Sequence, residues 1–211
     1  HYTMNLLNKL EQKGKSFSEI SYKNPRFLNK TLVLELQVLE SKKRYIDKLV
    51  IKGYENFPKS FVKNFFKINN KTIFSKAKIE ETYQLTKTLN FVSQRKKPEV
   101  LFKKDSTHLY LFLEKQTSNS FDGIINFASK ENGNGLLLNG NLDLKLNNIF
   151  NSGEQLDLFW NKVGDEKTEF NVILKTPYFL NTKFSSEIGF NIYRQDSTFL
   201  NTNFNLKTKL N

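Results

Sequence analysis

From Leu136 onward the chain alternates apolar and polar side chains almost without error. Leu136, Leu138, Leu142, Leu144 and Leu146 share one parity, with Gly140 among them, whereas Asn139, Asn141, Asp143, Lys145 and Asn147 take the other. Successive side chains of a strand point to opposite faces, so this stretch predicts one leucine face and one face of amides and charges. Six strand segments are expected after Ser120, over 121–129, 136–147, 154–162, 167–176, 182–193 and 198–211. The links between them are short and rich in Asn, Gly, Asp and Pro, which predicts an antiparallel up-and-down meander. The Gly133-Asn134-Gly135 cluster reads as a hairpin turn and not a phosphate loop, because no helix follows it.

The apolar parity persists along the later segments. It carries Leu156, Leu158 and Trp160, then Phe170, Val172 and Leu174, then Phe184, Ile188, Phe190 and Ile192, and finally Leu200, Phe204, Leu206 and Leu210. The segments are longer than the five to six residues or so typical of soluble strands. An apolar face that runs to the strand ends predicts transmembrane β-barrel strands, oily toward lipid and wet toward a lumen. Trp160, Tyr178, Phe179 and Tyr193 are expected near strand ends, where an interfacial aromatic girdle would lie. The competing reading is a soluble β-sandwich with one wet face per sheet.

The first half is built differently. Leu6, Leu7 and Leu10 have helical spacing over 3–13, and Gly14 stops that helix. Strands are expected over 16–22 and 31–39, with Asn24-Pro25 as the turn between them. A strand over 45–53 ending at Gly53 is followed by a helix from near Pro58, where Phe61/Phe65 and Val62/Phe66 form i,i+4 pairs. A second helix follows Ser75 as N-cap, with Ile79, Tyr83, Thr86 and Leu89 on one side. Strands over 91–102, interrupted at Arg95-Lys96-Lys97-Pro98, and over 107–114 complete a β-α-α-β-β unit.

Composition sharpens this division. The 211 residues carry a net charge of +12, of which residues 1–115 contribute +13, with 24 Lys+Arg against 11 Asp+Glu. The lysines are scattered, so a solvated basic surface is favoured over nucleic-acid binding. Mean hydropathy is −0.54, and no apolar run approaches the roughly eighteen residues of a spanning helix. Cysteine is absent, which removes disulfide and thiolate chemistry. The only histidines are His1 and His108, so no nucleophile–base pair or metal set is suggested; no cofactor, no metal and no enzymatic activity are expected. No signal peptide is visible, and the chain is expected to be an internal fragment of a longer protein, since six strands are too few to close a barrel.

Several segments carry a family resemblance. The opening strand Tyr45-Ile46-Asp47-Lys48-Leu49-Val50-Ile51-Lys52-Gly53, Phe74-Ser75 before Ile79, Leu89-Asn90-Phe91-Val92 and the ending Leu111-Phe112-Leu113-Glu114 resemble a POTRA domain. This is the periplasmic module of the outer-membrane-protein assembly factors, the BamA-like family. Glu11-Gln12-Lys13-Gly14-Lys15-Ser16-Phe17 resembles the helix-to-strand corner of a preceding POTRA, and Phe121–Phe127 the first barrel strand. The resemblance implies an α+β POTRA module followed by antiparallel transmembrane β-barrel strands in an incomplete barrel. Residues 1–42 would be the back half of one POTRA, 43–115 a complete one, and 116–211 the first six barrel strands.

The function it implies is assembly and insertion of outer-membrane β-barrel proteins, with residues 1–115 in the periplasm. Partners would be unfolded outer-membrane proteins, periplasmic or lipoprotein accessory subunits and the lipid bilayer, with no nucleic acid. Clients would add to the POTRA edge at Glu99, Val100, Leu101 and Phe102. A seam at the first barrel strand, Phe121, Asp122, Gly123, Ile124, Ile125, Asn126 and Phe127, would template insertion. A secretion pore of the same family and a soluble β-rich binding module are the alternatives.

Overall fold

The computed structural model describes residues 2–130 and 135–211. His1 and most of the expected Gly133-Asn134-Gly135 turn therefore lie outside the described residues. The chain divides into two compact bodies. The first comprises His1–Gly53, Phe66–Thr88 and Gln94–Glu114; the second comprises Tyr54–Phe65, Leu89–Ser93 and Lys115–Asn211.

In the first body, helix α1 (Tyr2–Gln12) buries Leu10. It ends where Gly14 takes φ +83°, and the Gly14 and Lys15 amides return to the Glu11 and Leu10 carbonyls. A side chain at Gly14 would sit 2.7 Å from Ile73 Cγ2, so glycine is required for close approach as well as for its dihedral. Strands β1 (Glu19–Leu28) and β2 (Thr31–Leu39) form a two-stranded antiparallel hairpin. Its turn is Asn29-Lys30, not Asn24-Pro25. Both Asn29 and Lys30 have positive φ, as a two-residue hairpin turn demands, whereas Asn24-Pro25 forms an irregularity inside β1 where the register shifts.

A three-stranded sheet follows, in the order β3 (Lys48–Lys52), β5 (Thr107–Lys115), β4 (Val92–Phe102). The central strand β5 buries Thr107, Leu109, Leu111 and Leu113 on one parity, and β3 runs parallel to it. Strand β4 continues through Arg95-Lys96-Lys97-Pro98 without the expected interruption. It is an edge strand, and the missing proline N–H is tolerated there.

Helix α2 (Lys76–Lys87) is capped by Ser75 Oγ, which accepts from the Lys78 amide. Of the expected stripe Ile79, Tyr83, Thr86 and Leu89, Thr86 is buried and the other three are half-buried, while the second buried residue is Thr82. The two hydroxyls donate to the Lys78 and Tyr83 carbonyls, which satisfies them and leaves their methyl groups to the core. The helix expected from near Pro58 does begin there, at 59–60, but continues only as a π turn, Phe61–Phe65. The expected i,i+4 pair Phe61/Phe65 is formed, its rings edge-on at 5.5 Å, and the wider turn also buries Phe66.

The second body is dominated by a six-stranded antiparallel sheet. Strands β6 (Ser120–Ser129), β7 (Leu136–Asn147), β8 (Gln155–Val163), β9 (Lys167–Thr176), β10 (Phe184–Gln195) and β11 (Phe199–Leu210) are ordered as in sequence. Each pairs with the next, as the alternation predicts, and among the described residues no strand closes β11 onto β6. No described helix is long and apolar enough to cross a membrane, which says nothing of strands.

Candidate functional site

Register converts the alternation into rows. Phe121, Leu144, Leu158, Val172, Phe190 and Phe204 lie side by side across the six strands. A neighbouring row is Gly123, Leu142, Trp160, Phe170 and Ile192, and the next is Leu146, Leu156, Leu174, Ile188 and Leu206. Residues directly opposite share a face, so the expected apolar positions form one continuous surface. The other face reads Asp122, Asp143, Asn171, Asn191 and Asn203 in one row, with Asn141, Asn161 and Glu169 beside it. Ile124, Leu137, Phe159, Val163, Ile173 and Phe199 are apolar exceptions on that wet face.

The apolar surface is uncovered at its margins, with Phe121 69%, Phe204 67% and Leu206 61% exposed. Among the expected girdle aromatics, Trp160 shares the apolar parity, but two do not fit. Tyr193 lies on the wet parity opposite Glu169 and Asn201, and Tyr178 is buried.

The seven residues of the expected seam lie in β6, an edge of this sheet. Phe121, Gly123, Ile125 and Phe127 take the apolar parity; Asp122, Ile124 and Asn126 take the other. Two glycines sit diagonally across the β6–β7 pair. A methyl at Gly123 would lie 2.7 Å from the Asn141 carbonyl oxygen, and one at Gly140 would collide with that of Ile124. The first hairpin thus holds its backbones closer than any side chain would allow. Glu99, Val100, Leu101 and Phe102 occupy the C-terminal part of edge strand β4. Phe102 is partly engaged there, its ring edge-on to Phe17 at 4.9 Å and to Phe74 at 5.0 Å, with the Arg44 guanidinium 5.7 Å away. Among the described residues no group of three or more His, Asp or Glu could hold a metal ion.

Sequence reasoning missed a clamp on the sheet's turns, built within the second body by Tyr54–Phe65. The β7–β8 turn, residues 148–154, is held from inside. The Glu154 carboxylate accepts from the Phe150 amide (2.6 Å), the Ser152 amide (3.0 Å) and Ser152 Oγ (2.6 Å). Asn148 Oδ1 accepts from the Gly153 amide at 2.8 Å. From outside, the Tyr54 hydroxyl accepts from Asn148 Nδ2 (2.7 Å) and donates to Asn151 Oδ1 (2.6 Å), which also accepts from Lys115 Nζ (2.9 Å).

Phe61 fills the space that Gly153 leaves free and stands edge-on to Tyr178 at 5.0 Å, in the β9–β10 turn. Asn64 Nδ2 donates to the Asn181 and Thr182 carbonyls of the same turn, at 3.3 and 3.0 Å. Burial pushes the Glu154 carboxyl up, but the bonds from Ser152 and Phe150 outweigh it and hold the group below its ordinary value. Burial raises the Tyr54 phenol, so it stays protonated. One segment thereby fixes two turns at the same end of the sheet. The Asn-Ser-Gly density of 147–153 and the Tyr54/Phe57/Phe61 spacing mark the two segments separately, but neither shows that they meet.

No protein-family model and no curated protein matches the chain. Solved structures do. BamA from Haemophilus ducreyi lacking POTRA domains 1–3 is similar over 99% of this chain and 40% of that one, at 13% identity and a TM-score of 0.60. CdiB from Acinetobacter baumannii aligns over 90% of this chain and 36% of that one (17% identity, TM-score 0.48). CdiB from Escherichia coli aligns over 94% and 37% (15% identity, TM-score 0.47). The chain spans about two-fifths of the length of the BamA structure. Its fold, mostly antiparallel sheet with few helices and a sheet left open at both edges, is similar to that of this BamA structure.

Proposed function

We propose that this chain is part of an outer-membrane β-barrel assembly factor, with residues 116–211 forming the first strands of a transmembrane barrel. Residues 43–115 act as a periplasmic POTRA module and residues 1–42 as the back half of another. The observation that carries the reading is the one-sided apolar surface of a six-stranded sheet with unpaired edges at β6 and β11. A bilayer accepts that surface but not open backbone edges, so further strands must complete it. The likeness in fold over 99% of the chain to the BamA structure supports the same reading.

In this mechanism a client strand pairs with the backbone of β6. Pairing by N–H and C=O groups is sequence-tolerant, and the alternating parity sorts client side chains toward lipid or lumen. Folding of the client supplies the driving force, and no nucleotide or metal enters. The β4 edge receives clients earlier, at Glu99–Phe102, with periplasmic or lipoprotein accessory subunits nearby. A cysteine at Ile125 tests the seam. During assembly in membranes it is expected to crosslink to an unfolded outer-membrane protein carrying cysteines along its terminal strand. Absence of that adduct, while insertion proceeds, would reject β6 as the template.

A further inference from the structure

The apolar surface is uneven in height. On β8 it runs only from Leu156 to Trp160, and on β9 only from Phe170 to Leu174. Four residue steps at about 3.3 Å each span about 13 Å along a strand. A tilt of about 40° leaves about 10 Å of that, against an apolar band about 25 Å tall in outer-membrane barrels. On β11 the outermost apolar residues of the same parity are Leu200 and Leu210, with Thr202 and Thr208 between them, and under the same conversion they lie about 25 Å apart. Beyond the short stretches, the apolar parity turns polar, with Lys162 and Thr168 at one end and Glu154 and Thr176 at the other.

The turns at the Glu154/Thr176 end carry apolar tips. Phe150 is 75% and Leu180 77% exposed, each beside a further apolar residue, Ile149 and Phe179. The first turn leads into β8 and the second leaves β9, the two strands where apolar height is missing. Leu180 adopts φ 51° and ψ 36°, a left-handed conformation costly for a leucine, in a turn whose next carbonyls Asn64 holds. Phe150 is fixed through its amide on Glu154. These tips are therefore preorganised, and their ordering cost does not fall on binding. The clamp segment adds exposed Lys59 and Lys63, and the second turn is followed by exposed Lys183, charges that complement anionic headgroups.

We propose that Phe150 and Leu180 are membrane-interface anchors, dipping into the leaflet on the turn side to extend the apolar band at β8 and β9. The inference rests on the membrane reading above, and Trp160, the single tryptophan, keeps the two separable. The intact protein is reconstituted in phosphatidylethanolamine–phosphatidylglycerol vesicles containing lipids brominated either near the glycerol or near the acyl methyl end. Phe150→Trp and Leu180→Trp are made separately in a Trp160→Phe background, so that a folding failure of one leaves the other. Emission at 150 and 180 is expected to be quenched by the shallow bromines about as fully as emission at Trp160 is quenched by bilayer lipids. Quenching at Trp160 without quenching at 150 or 180, with both open to aqueous acrylamide, overturns the anchors and leaves the barrel standing. Burial of both positions from lipid and acrylamide alike assigns the tips to a protein partner and equally overturns the anchors. Absence of quenching at Trp160 overturns the membrane reading itself.

Discussion

Replacing Tyr54 by Phe removes one oxygen from the clamp, and the structure sets the consequence. Asn151 Oδ1 is not orphaned, because Lys115 Nζ still donates to it at 2.9 Å. Asn148 is fully buried, and its Nδ2 loses the partner it has at 2.7 Å. An unsatisfied buried donor costs about 1–3 kcal/mol, and the lost bond to Asn151 about 0.5–1.5 kcal/mol more. The expected destabilisation of the turn is about 1.5–4.5 kcal/mol, or about 12- to 1,600-fold in its opening equilibrium at 1.4 kcal/mol per decade.

Amide hydrogen exchange reads this directly. The Gly153 amide on Asn148 Oδ1 and the Asn148 amide on the Glu154 carbonyl should exchange faster by that factor, while amides of β9 and β10 stay protected. Lys115→Met, which removes only an exposed partner, should change exchange by less than about 1 kcal/mol equivalent. Unchanged protection at Gly153 in Tyr54→Phe would refute the clamp, as would an equal effect from the lysine variant.

Two further outcomes follow from the same geometry. Gly140→Ala should destabilise the β6–β7 hairpin by about 1–3 kcal/mol, since the new methyl meets the Ile124 carbonyl and φ is +152°. A denaturant midpoint equal to the parent's would show that the close approach is absent. Glu154 has a folded pKa below its ordinary 4.5, so its stabilising contribution is complete above that value and is lost as pH falls through the lower folded value. Protection of the Phe150 and Ser152 amides should hold from neutral pH to about 5 and then decline; a decline that persists unaltered in Glu154→Gln would remove the carboxylate from the account.

The strands were legible because a period of two writes itself into side-chain order, and each later ladder pairs residues of matching character, such as Leu144 with Leu158 and Leu158 with Val172. Turn chemistry was less so. Asn24-Pro25 carries the strongest local turn signal in the hairpin, yet two-residue closure at Asn29-Lys30 keeps more of the ladder paired. The π turn at Phe61–Phe65 and the Thr82/Thr86 face of α2 depend on what those segments pack against. The clamp was illegible for a plainer reason. Tyr54 meets Asn148 across 94 positions, and no local pattern announces such a meeting. Tyr193 shares the parity of Asn191, so alternation alone already puts it on the wet face, and a place near a strand end does not make it part of a girdle.

Whether the apolar surface faces acyl chains is read by a spin-label scan along β10. Nitroxides placed singly at 187–193 in the reconstituted protein report collisions with oxygen, which favours lipid, and with a water-soluble nickel chelate. The expected pattern alternates with a period of two, Ile188, Phe190 and Ile192 favouring oxygen and Glu187, Asn191 and Tyr193 favouring nickel. Loss of that alternation, or protection of the apolar positions from both reagents as in a core packed between two layers, would contradict it.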